Sequence, residues 1–149
     1  MATTEKQHTW NIVWHDQMSV GIPEVDEDHK HFVQLVNNFN QSIINRMDQS
    51  EIQKRLQLIL TDAREHFAHE EKLFREWRYP DYEDHAAQHA QILRALHDIQ
   101  EAAMSYNLYS EWIETGMEIK DVLIDHILKE DMKYAGFYRA RQGRKQFQF

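Results

Sequence analysis

Histidines and carboxylates recur at helical spacing in this sequence, and these residue types bind metal ions through nitrogen and oxygen atoms. His66 and Glu70 are four residues apart, and so are His85 and His89. Residues four apart lie on one face of an α-helix, so each pair can point in a common direction. A single pair of this kind is weak evidence for a metal site, and further ligands are needed.

Three more residues are candidate ligands. They are His29, His126 and Asp131, which also fall on or beside the expected core faces of helices. A buried imidazole or carboxylate without a partner costs on the order of a few kcal/mol. His29 and His85 lie early in their helices, whereas the other candidates lie late in theirs, so antiparallel packing brings them all to one end. The pattern therefore predicts a metal site in the core.

The spacing of His126 and Asp131 differs from that of the other pairs. Five residues correspond to about 140° on an ideal α-helix, so the two side chains would flank the core face. This spacing suits a carboxylate that approaches the metal from the side, or a local π-bulge.

The number of candidate ligands indicates two metal ions. If both carboxylates and one oxygen atom bridge the ions, the bridges give six bonds and the five histidines give five more. Two octahedral ions need twelve, so one position is left open on the ion that has two histidines. One open position fits end-on binding of a small ligand. Six-coordination favours iron, because zinc generally prefers four ligands.

Four long helices are expected to position these residues. The sequence has only four glycines and two prolines, and good helix formers are abundant. The predicted helices run from about Asp26 to Met47, from Ser50 to Trp77, from Asp81 to about Ala103, and from Ser110 to Tyr138. Asp26 and Asp81 are the expected N-caps. Long helices with short connections predict an all-α, antiparallel up-down four-helix bundle.

The apolar residues recur at three- and four-residue steps, which is typical of a bundle core. In the first helix the expected core positions include Met47, and in the fourth they include Glu130, with Asp131 alongside. One domain is expected over residues 1–149. It would have an irregular N-terminal arm at residues 1–25, whose apolar residues Trp10, Ile12, Val13 and Trp14 pack onto the bundle, and a basic, aromatic tail at 139–149.

Composition and charge exclude several classes of protein. The formal net charge is −8, which argues against nucleic acid or an anionic membrane as a partner. The absence of cysteine excludes disulfides and thiolate metal sites. The first residues lack the apolar stretch of a signal peptide, and no run of about 18 apolar residues predicts membrane insertion. A cytoplasmic monomer is therefore expected.

Three motifs resemble those of the hemerythrin family in its bacterial form, and together they span the chain from Trp14 to Tyr134. They are residues 13–30, which end in Asp28-His29-Lys30; the run His66-Phe67-Ala68-His69-Glu70-Glu71, followed by Tyr79-Pro80 and the pair His85 and His89; and residues 126–134. All seven ligands that the family's pattern requires are present.

The resemblance implies reversible O2 binding at two non-haem iron ions (Fe2+/Fe3+) that share an oxo or hydroxo bridge. It also implies a role for each ligand. The six-coordinate iron would be bound by His85, His89 and His126. The iron with the open position would be bound by His29 and His66, and both irons would be bridged by Glu70 and Asp131.

The O2 pocket must exclude water and protons, and by similarity its wall consists of four apolar residues: Phe32, Phe67, Leu123 and Ile127. Relatives often carry tryptophan four residues before the last histidine ligand, where this chain has Val122. The smaller side chain is expected to widen access to the site.

Several polar residues near the ligands need a separate interpretation. Tyr134 follows Asp131 by three residues and either donates a hydrogen bond near the metal or packs in the core. His69 is expected beside the site or at the surface rather than on a metal. Glu71, His31 and His97 are expected at the surface.

An O2 carrier or store, not an enzyme, is the favoured function, with O2 as its ligand and an O2-consuming enzyme as a possible recipient. An O2 or iron sensor that acts through a separate partner protein is the alternative. A ferritin-type oxidase is disfavoured, because such sites use about four carboxylates and two histidines. A structural zinc bundle is the remaining alternative.

Overall fold

The computed structural model describes residues 11–146, and every regular element in this range is helical. After a short 3-10 turn at Asp16–Met18, the elements are α1 (Pro23–Ile44), α2 (Gln49–Trp77), α3 (Tyr82–Ala103), α4 (Tyr109–Asp125), a π-helical segment (His126–Asp131) and α5 (Met132–Gln146). The last three follow one another without a break and form the fourth helix of the bundle. None of the helices in the described range combines the length and hydrophobicity that crossing a membrane requires.

The helices form the up-down bundle that the sequence predicts. Helix α1 packs against α2 and α4, and α3 packs against α2 and α4. The buried apolar residues fall into two groups. The larger group fills most of the bundle and includes Phe32, Phe67 and Leu123. The smaller group lies where the start of α1, the end of α2 and the start of α5 meet, and it includes Phe74 and Tyr134.

The start of α1 differs from the prediction. The helix begins at Pro23, which suits the first helical turn because proline has no N–H to bond there. Asp26 is therefore not the N-cap. Its carboxylate instead accepts hydrogen bonds from Ser19 Oγ at 2.5 Å and from the Val20 N–H at 2.8 Å. These bonds tie the preceding arm to the helix.

One other expectation at a helix end needs correction. Helix α1 ends at Ile44, so Met47 lies outside it and is 37% exposed rather than in the core. Asp81 is the N-cap of α3, as predicted, although its side chain makes no capping hydrogen bond. Helix α2 ends at Trp77, as predicted, where Arg78 takes the left-handed conformation with a φ of 54°.

The arm packs onto the bundle from Ile12 onward. The side-chain amide of Asn37 makes two hydrogen bonds with the backbone of Ile12. It accepts one from the Ile12 N–H at 2.7 Å and donates one to the Ile12 carbonyl at 2.9 Å. Val13 is an exception to the predicted packing, since it is 73% exposed. Trp10 of the arm, with the rest of residues 1–10, lies outside the described residues, as do residues 147–149 of the expected tail. Residues 139–146 of that tail continue α5.

The contact between α4 and α1 yields a stability prediction. A Cβ atom added at Gly116 would lie 2.5 Å from Oδ1 of the buried Asn40. Overpacking of this kind costs about 1–3 kcal/mol, which exceeds the helix propensity gained from alanine, about 1 kcal/mol. We therefore expect Gly116→Ala to lower the free energy of unfolding in urea titrations. Gly136→Ala is the matched control, because nothing lies within 4 Å of a Cβ there. Equal stabilisation by both substitutions would contradict this packing.

Candidate metal centre

Seven histidine and carboxylate side chains meet between the two apolar groups of the core. They form two overlapping sets of possible metal ligands, one with Glu70, His85, His89, His126 and Asp131, the other with His29, His66, Glu70 and Asp131. All seven residues are buried, with exposed fractions between 0% and 7%. The structure thus brings together every residue that the sequence nominates as a ligand.

The π-helical segment explains how two residues five apart reach the same site. Hydrogen bonds in a π-helix join residues five apart, so such residues lie close to one face. In the segment from His126 to Asp131 both end residues are buried. Glu130, which we expected in the core, is only half-buried and pairs with Lys133 at 2.9 Å. The local π-bulge, one of the two predicted alternatives, is therefore the correct one.

Asp131 directs one carboxylate oxygen towards each set of histidines. Its Oδ1 atom lies 3.0 Å from His85 Nε2 and 3.1 Å from His126 Nε2. Its Oδ2 atom lies 3.1 Å from His29 Nε2, on the other side. This placement is what a carboxylate that bridges two cations needs.

Glu70 also lies between the two sets. Its Oε1 atom is 3.1 Å from His89 Nε2 and 3.5 Å from His66 Nε2. Its Oε2 atom is 3.6 Å from His29 Nε2 and accepts a hydrogen bond from the Tyr134 hydroxyl. Of the two interpretations of Tyr134, the hydrogen bond beside the ligands is therefore observed, in a fully buried phenol.

The hydrogen bonding within the cluster is incomplete, and this tests whether a metal fits. Among the described residues, the Nε2 atoms of all five histidines have no hydrogen-bond partner, despite their closeness to the carboxylates. The same holds for Glu70 Oε1 and both oxygens of Asp131. Buried polar atoms are nearly always paired. Cations bound among these nitrogen and oxygen atoms would satisfy them, so the residues fit a metal centre.

Burial and charge act in opposite directions on the histidines when no metal is bound. Burial lowers the pKa of His29, but the carboxylates of Asp131 and Glu70 outweigh it and raise the pKa to about 9. Burial likewise opposes the effect of Glu70 and Asp28 on His66, whose pKa rises to about 10. Both imidazoles are therefore protonated on both nitrogens, and positively charged, at neutral pH in the metal-free protein.

The carboxylates are shifted the other way. Burial alone would raise the pKa of Glu70, but the surrounding histidines, led by His66, hold it well below its usual range. Burial and the neighbouring Glu70 also push the pKa of Asp131 upward, and the attraction of the surrounding imidazoles, led by His126, overcomes both and lowers it. Both carboxylates stay ionised, which is the form that binds metal.

Two acidic residues that we did not identify from the sequence support the ligands from outside. Asp28 Oδ2 lies 3.3 Å from His66 Nδ1, and Glu71 Oε2 lies 3.0 Å from His89 Nδ1. Such carboxylates fix the ring orientation so that Nε2 faces the metal. Glu71 is therefore not a simple surface residue. Its position directly after Glu70 was the available signal, as was the position of Asp28 directly before His29.

His69 lies outside the cluster, as predicted. Its side chain is 33% exposed, and its Nδ1 atom lies 2.7 Å from Asp28 Oδ2. His69 therefore contacts the acceptor of His66 rather than the metal centre itself. His31 and His97 have side chains that are more than half exposed, which confirms their predicted place at the surface.

Aromatic rings cover the ligands on the side of the larger apolar group. Phe67 stacks on His89 with ring centroids 4.0 Å apart and also contacts the rings of His66 and His126. Phe32 lies 6.2 Å from the His66 ring. Leu123 belongs to the same apolar group, and Ile127 is buried within the π-helical segment.

A surface depression of about 280 Å³ lies beside one of the ligands. Its lining includes Val122 and His126 of the fourth helix together with Gln88, Gln91 and Ile92 of α3. The ligand His126 has the largest exposed fraction of the seven. The depression therefore lies beside a ligand that is itself slightly exposed.

Comparisons with known proteins agree with this arrangement. A family model described as the hemerythrin HHE cation binding domain matches residues 20–138. A protein named bacteriohemerythrin from Stenotrophomonas maltophilia (strain R551-3) is 22% identical to the chain over 129 residues. The match covers 87% of this chain and 82% of that protein.

The pKa shifts predict how metal binding depends on pH. Metal ions must displace the protons on His29 and His66. For each proton displaced, the apparent metal affinity rises about tenfold per unit increase in pH, as long as the pH is below the pKa of that histidine. We expect Co2+ affinity, measured against a chelator from about pH 6 to 8, to rise with pH. Stability shows the opposite trend without metal. The contribution of these histidines is complete below their usual pKa of 6.5 and is lost as pH rises through about 9 and 10. Affinity that is independent of pH would contradict the assignment.

A pair of substitutions separates a ligand from its neighbour. His66→Ala removes a nitrogen that lies 3.5 Å from Glu70 Oε1 within the ligand cluster, so we expect the purified variant to lose bound metal. His69→Ala should retain the metal, because its ring lies outside the cluster. Elemental analysis of both variants, with the exposed Glu65→Ala as a control, measures the difference. Equal metal loss in the two histidine variants would mean that the wrong face has been identified.

Proposed function

The chain belongs to the hemerythrin family, and from this premise we propose that it binds O2 reversibly at two non-haem iron ions. The observation that carries the proposal is the overlap of the two ligand sets, which share Glu70 and Asp131. A pair of ions joined by two carboxylates needs such an overlap. Two independent mononuclear sites would not.

The ligands would divide between the ions as the sets do. One ion would be held by His85, His89 and His126, and the other by His29 and His66. Since the second set has one histidine fewer, the side of His29 and His66 would leave room for a further small ligand. Glu70 and Asp131 would hold both ions and offset part of their positive charge in a core where the dielectric constant is low.

Iron fits the donor set better than zinc does. The centre offers five imidazoles and two carboxylates, and a pair of six-coordinate ions uses all of them. Zinc generally binds four ligands, so seven protein ligands suit it poorly. Iron bound here would supply the two electrons that O2 takes up on binding and returns on release.

The protein's own residues keep this exchange reversible. Phe67 and Phe32 place apolar rings against His66. Leu123 and Ile127 are buried as well, and they lie close to His126 in the sequence. An apolar wall excludes water and stray protons, which would otherwise release the bound oxygen in a reduced form. Tyr134 holds Glu70 through its hydroxyl, so the bridge keeps its orientation. We therefore propose a carrier or store of O2 rather than an enzyme.

Metal content and visible absorption test this proposal directly. The iron-loaded protein should contain about two irons per chain by elemental analysis and little zinc. The reduced form should gain a visible band in air and lose it under argon. Glu70→Ala should abolish both properties, while the exposed Glu76→Ala should keep them. One iron per chain, or a band that does not reverse, would refute the proposal.

The pocket assignment makes a separate prediction about the lifetime of the O2 complex. Leu123→Ala removes apolar bulk one turn before His126, so the visible band should decay faster in air at fixed pH. Val122→Trp fills the depression beside His126 and should slow the decay, unless overpacking, at about 1–3 kcal/mol, destabilises the helix. Unchanged decay in Leu123→Ala would remove Leu123 from the pocket wall. Failure of Val122→Trp alone would reject only the proposed access path.

A further inference from the structure

Positive charge is concentrated in α5 and in the residues that follow it. Residues 132–149 contain five lysine and arginine residues and neither aspartate nor glutamate. The residues before them contain 12 basic residues and all 25 acidic ones, so they carry a formal charge of −13. The net charge of −8 is therefore an average over two regions of opposite sign. The argument from net charge against an anionic membrane does not apply to α5.

Helix α5 carries this charge past the end of a neighbouring helix. The ring of Tyr138 lies 5.0 Å from the ring of Trp77, which is the last residue of α2. Because α2 and α5 run in the same direction in the up-down bundle, residues 139–146 of α5 extend about 12 Å beyond α2. Arg139 is exposed, and a Cβ atom added at Gly143 would meet nothing within 4 Å. This basic part of α5 is therefore open to a partner.

The arginines of this part of α5 differ from several other surface cations in having no acidic partner. Lysines and arginines on the bundle pair with an acid three or four residues away, as Lys133 does with Glu130 at 2.9 Å. Among the side chains that the structure describes, no ion pair includes Arg139 or Arg141, and Nη1 of Arg141 is buried without a hydrogen-bond partner. A guanidinium group only donates hydrogen bonds and matches the geometry of phosphate. These arginines therefore suit a phosphate-bearing partner.

We propose that residues 139–149 bind the surface of an anionic phospholipid membrane, with their arginines and lysine on the lipid phosphates. Aromatic residues accompany the cations: Phe137 and Tyr138 are half-buried in α5, and the sequence adds Phe147 and Phe149. Cations interspersed with aromatic residues are typical of segments that lie at a membrane surface, where the rings enter the headgroup region. The contact is peripheral and does not depend on the metal centre.

The acidic bundle does not cancel this attraction, because its nearest acids lie too far away. Glu130, Asp84 and Asp81 together raise the pKa of Lys133, so these acids lie beside the start of α5. Arg141 is eight residues further on, about 12 Å along the helix axis, whereas charges are screened over about 8 Å at physiological ionic strength. A membrane can meet this end of the bundle alone. A nucleic acid is a continuous chain of phosphates, and those that continue past α5 would be repelled by the acidic bundle.

Co-sedimentation with lipid vesicles tests the proposal on the full iron-loaded chain. One set of vesicles contains equal parts of phosphatidylcholine and the anionic phosphatidylglycerol, and the other contains phosphatidylcholine alone. We expect the protein to bind the anionic vesicles at about 0.1 M NaCl. The bound fraction should fall at least tenfold at about 1 M NaCl, where the screening length is only about 3 Å, and on the uncharged vesicles.

A triple variant locates the binding surface. Each cation near an anionic membrane strengthens binding by about fivefold, so the affinity should fall at least tenfold when three arginines are replaced together: Arg139→Gln, Arg141→Gln and Arg144→Gln. Lysine at the same three positions should restore most of the binding, because it keeps the charge. The matched control removes three exposed cations from the bundle and should bind as the parent protein does: Lys54→Gln, Arg64→Gln and Arg94→Gln.

Several outcomes would overturn the proposal. They are absence of binding to the anionic vesicles, and equal loss of binding in the control variant. Fluorescence anisotropy with labelled double-stranded DNA provides a further test, because tighter binding to DNA than to vesicles at equal phosphate concentration would assign the segment to nucleic acid. Light scattering without vesicles would overturn the proposal if it showed a salt-sensitive dimer that the triple glutamine variant does not form. The visible O2 band is recorded in parallel. Vesicle binding without a reversible band rejects the proposed function alone, and a reversible band without vesicle binding rejects only the membrane contact.

Discussion

The structure depends on the need to neutralise a fully buried cluster of imidazoles and carboxylates. Five histidine Nε2 atoms, one oxygen of Glu70 and both oxygens of Asp131 face one another without hydrogen bonds in the centre of the bundle. If one member of such a cluster is removed, the remaining polar groups stay buried without a partner, and this destabilises the fold. The two apolar groups of the core hold the cluster from either side: Phe67 packs against His89, and Phe74 packs against His85. The apolar core and the polar centre therefore define each other's shape.

The sequence was sufficient to predict the bundle and all seven members of the cluster. Both succeeded because helical periodicity makes a polar residue on a core face conspicuous, and because antiparallel packing brings distant positions to one end. The helix ends were less predictable. Asp26 resembles an N-cap in the sequence, but a proline three residues earlier starts the helix and frees the carboxylate to bind the arm.

The supporting residues were missed for a different reason. Asp28 and Glu71 lie next to ligands in the chain, where a charged residue ordinarily faces solvent. Their role depends on which ring nitrogen faces inward, and periodicity carries no information about a tautomer. Glu130 and Asp131 posed a related problem, since two adjacent acids compete for one position. The backbone geometry of the π-helical segment decides between them, and only the five-residue spacing from His126 hinted at it.

The π-helical segment also changes the direction in which the side chains after it point around the axis of the last helix. Each residue of an α-helix advances by about 100° around the axis, so accommodating one additional residue in a turn rotates everything that follows by about that angle. Tyr134 and Tyr138 meet Trp77 in the rotated phase. The length of the chain between His126 and Tyr138 is therefore as constrained as the identity of its ligands. Inserting or deleting one residue after Asp131 would turn Tyr134 and Tyr138 away from Trp77 even though all seven ligands were kept.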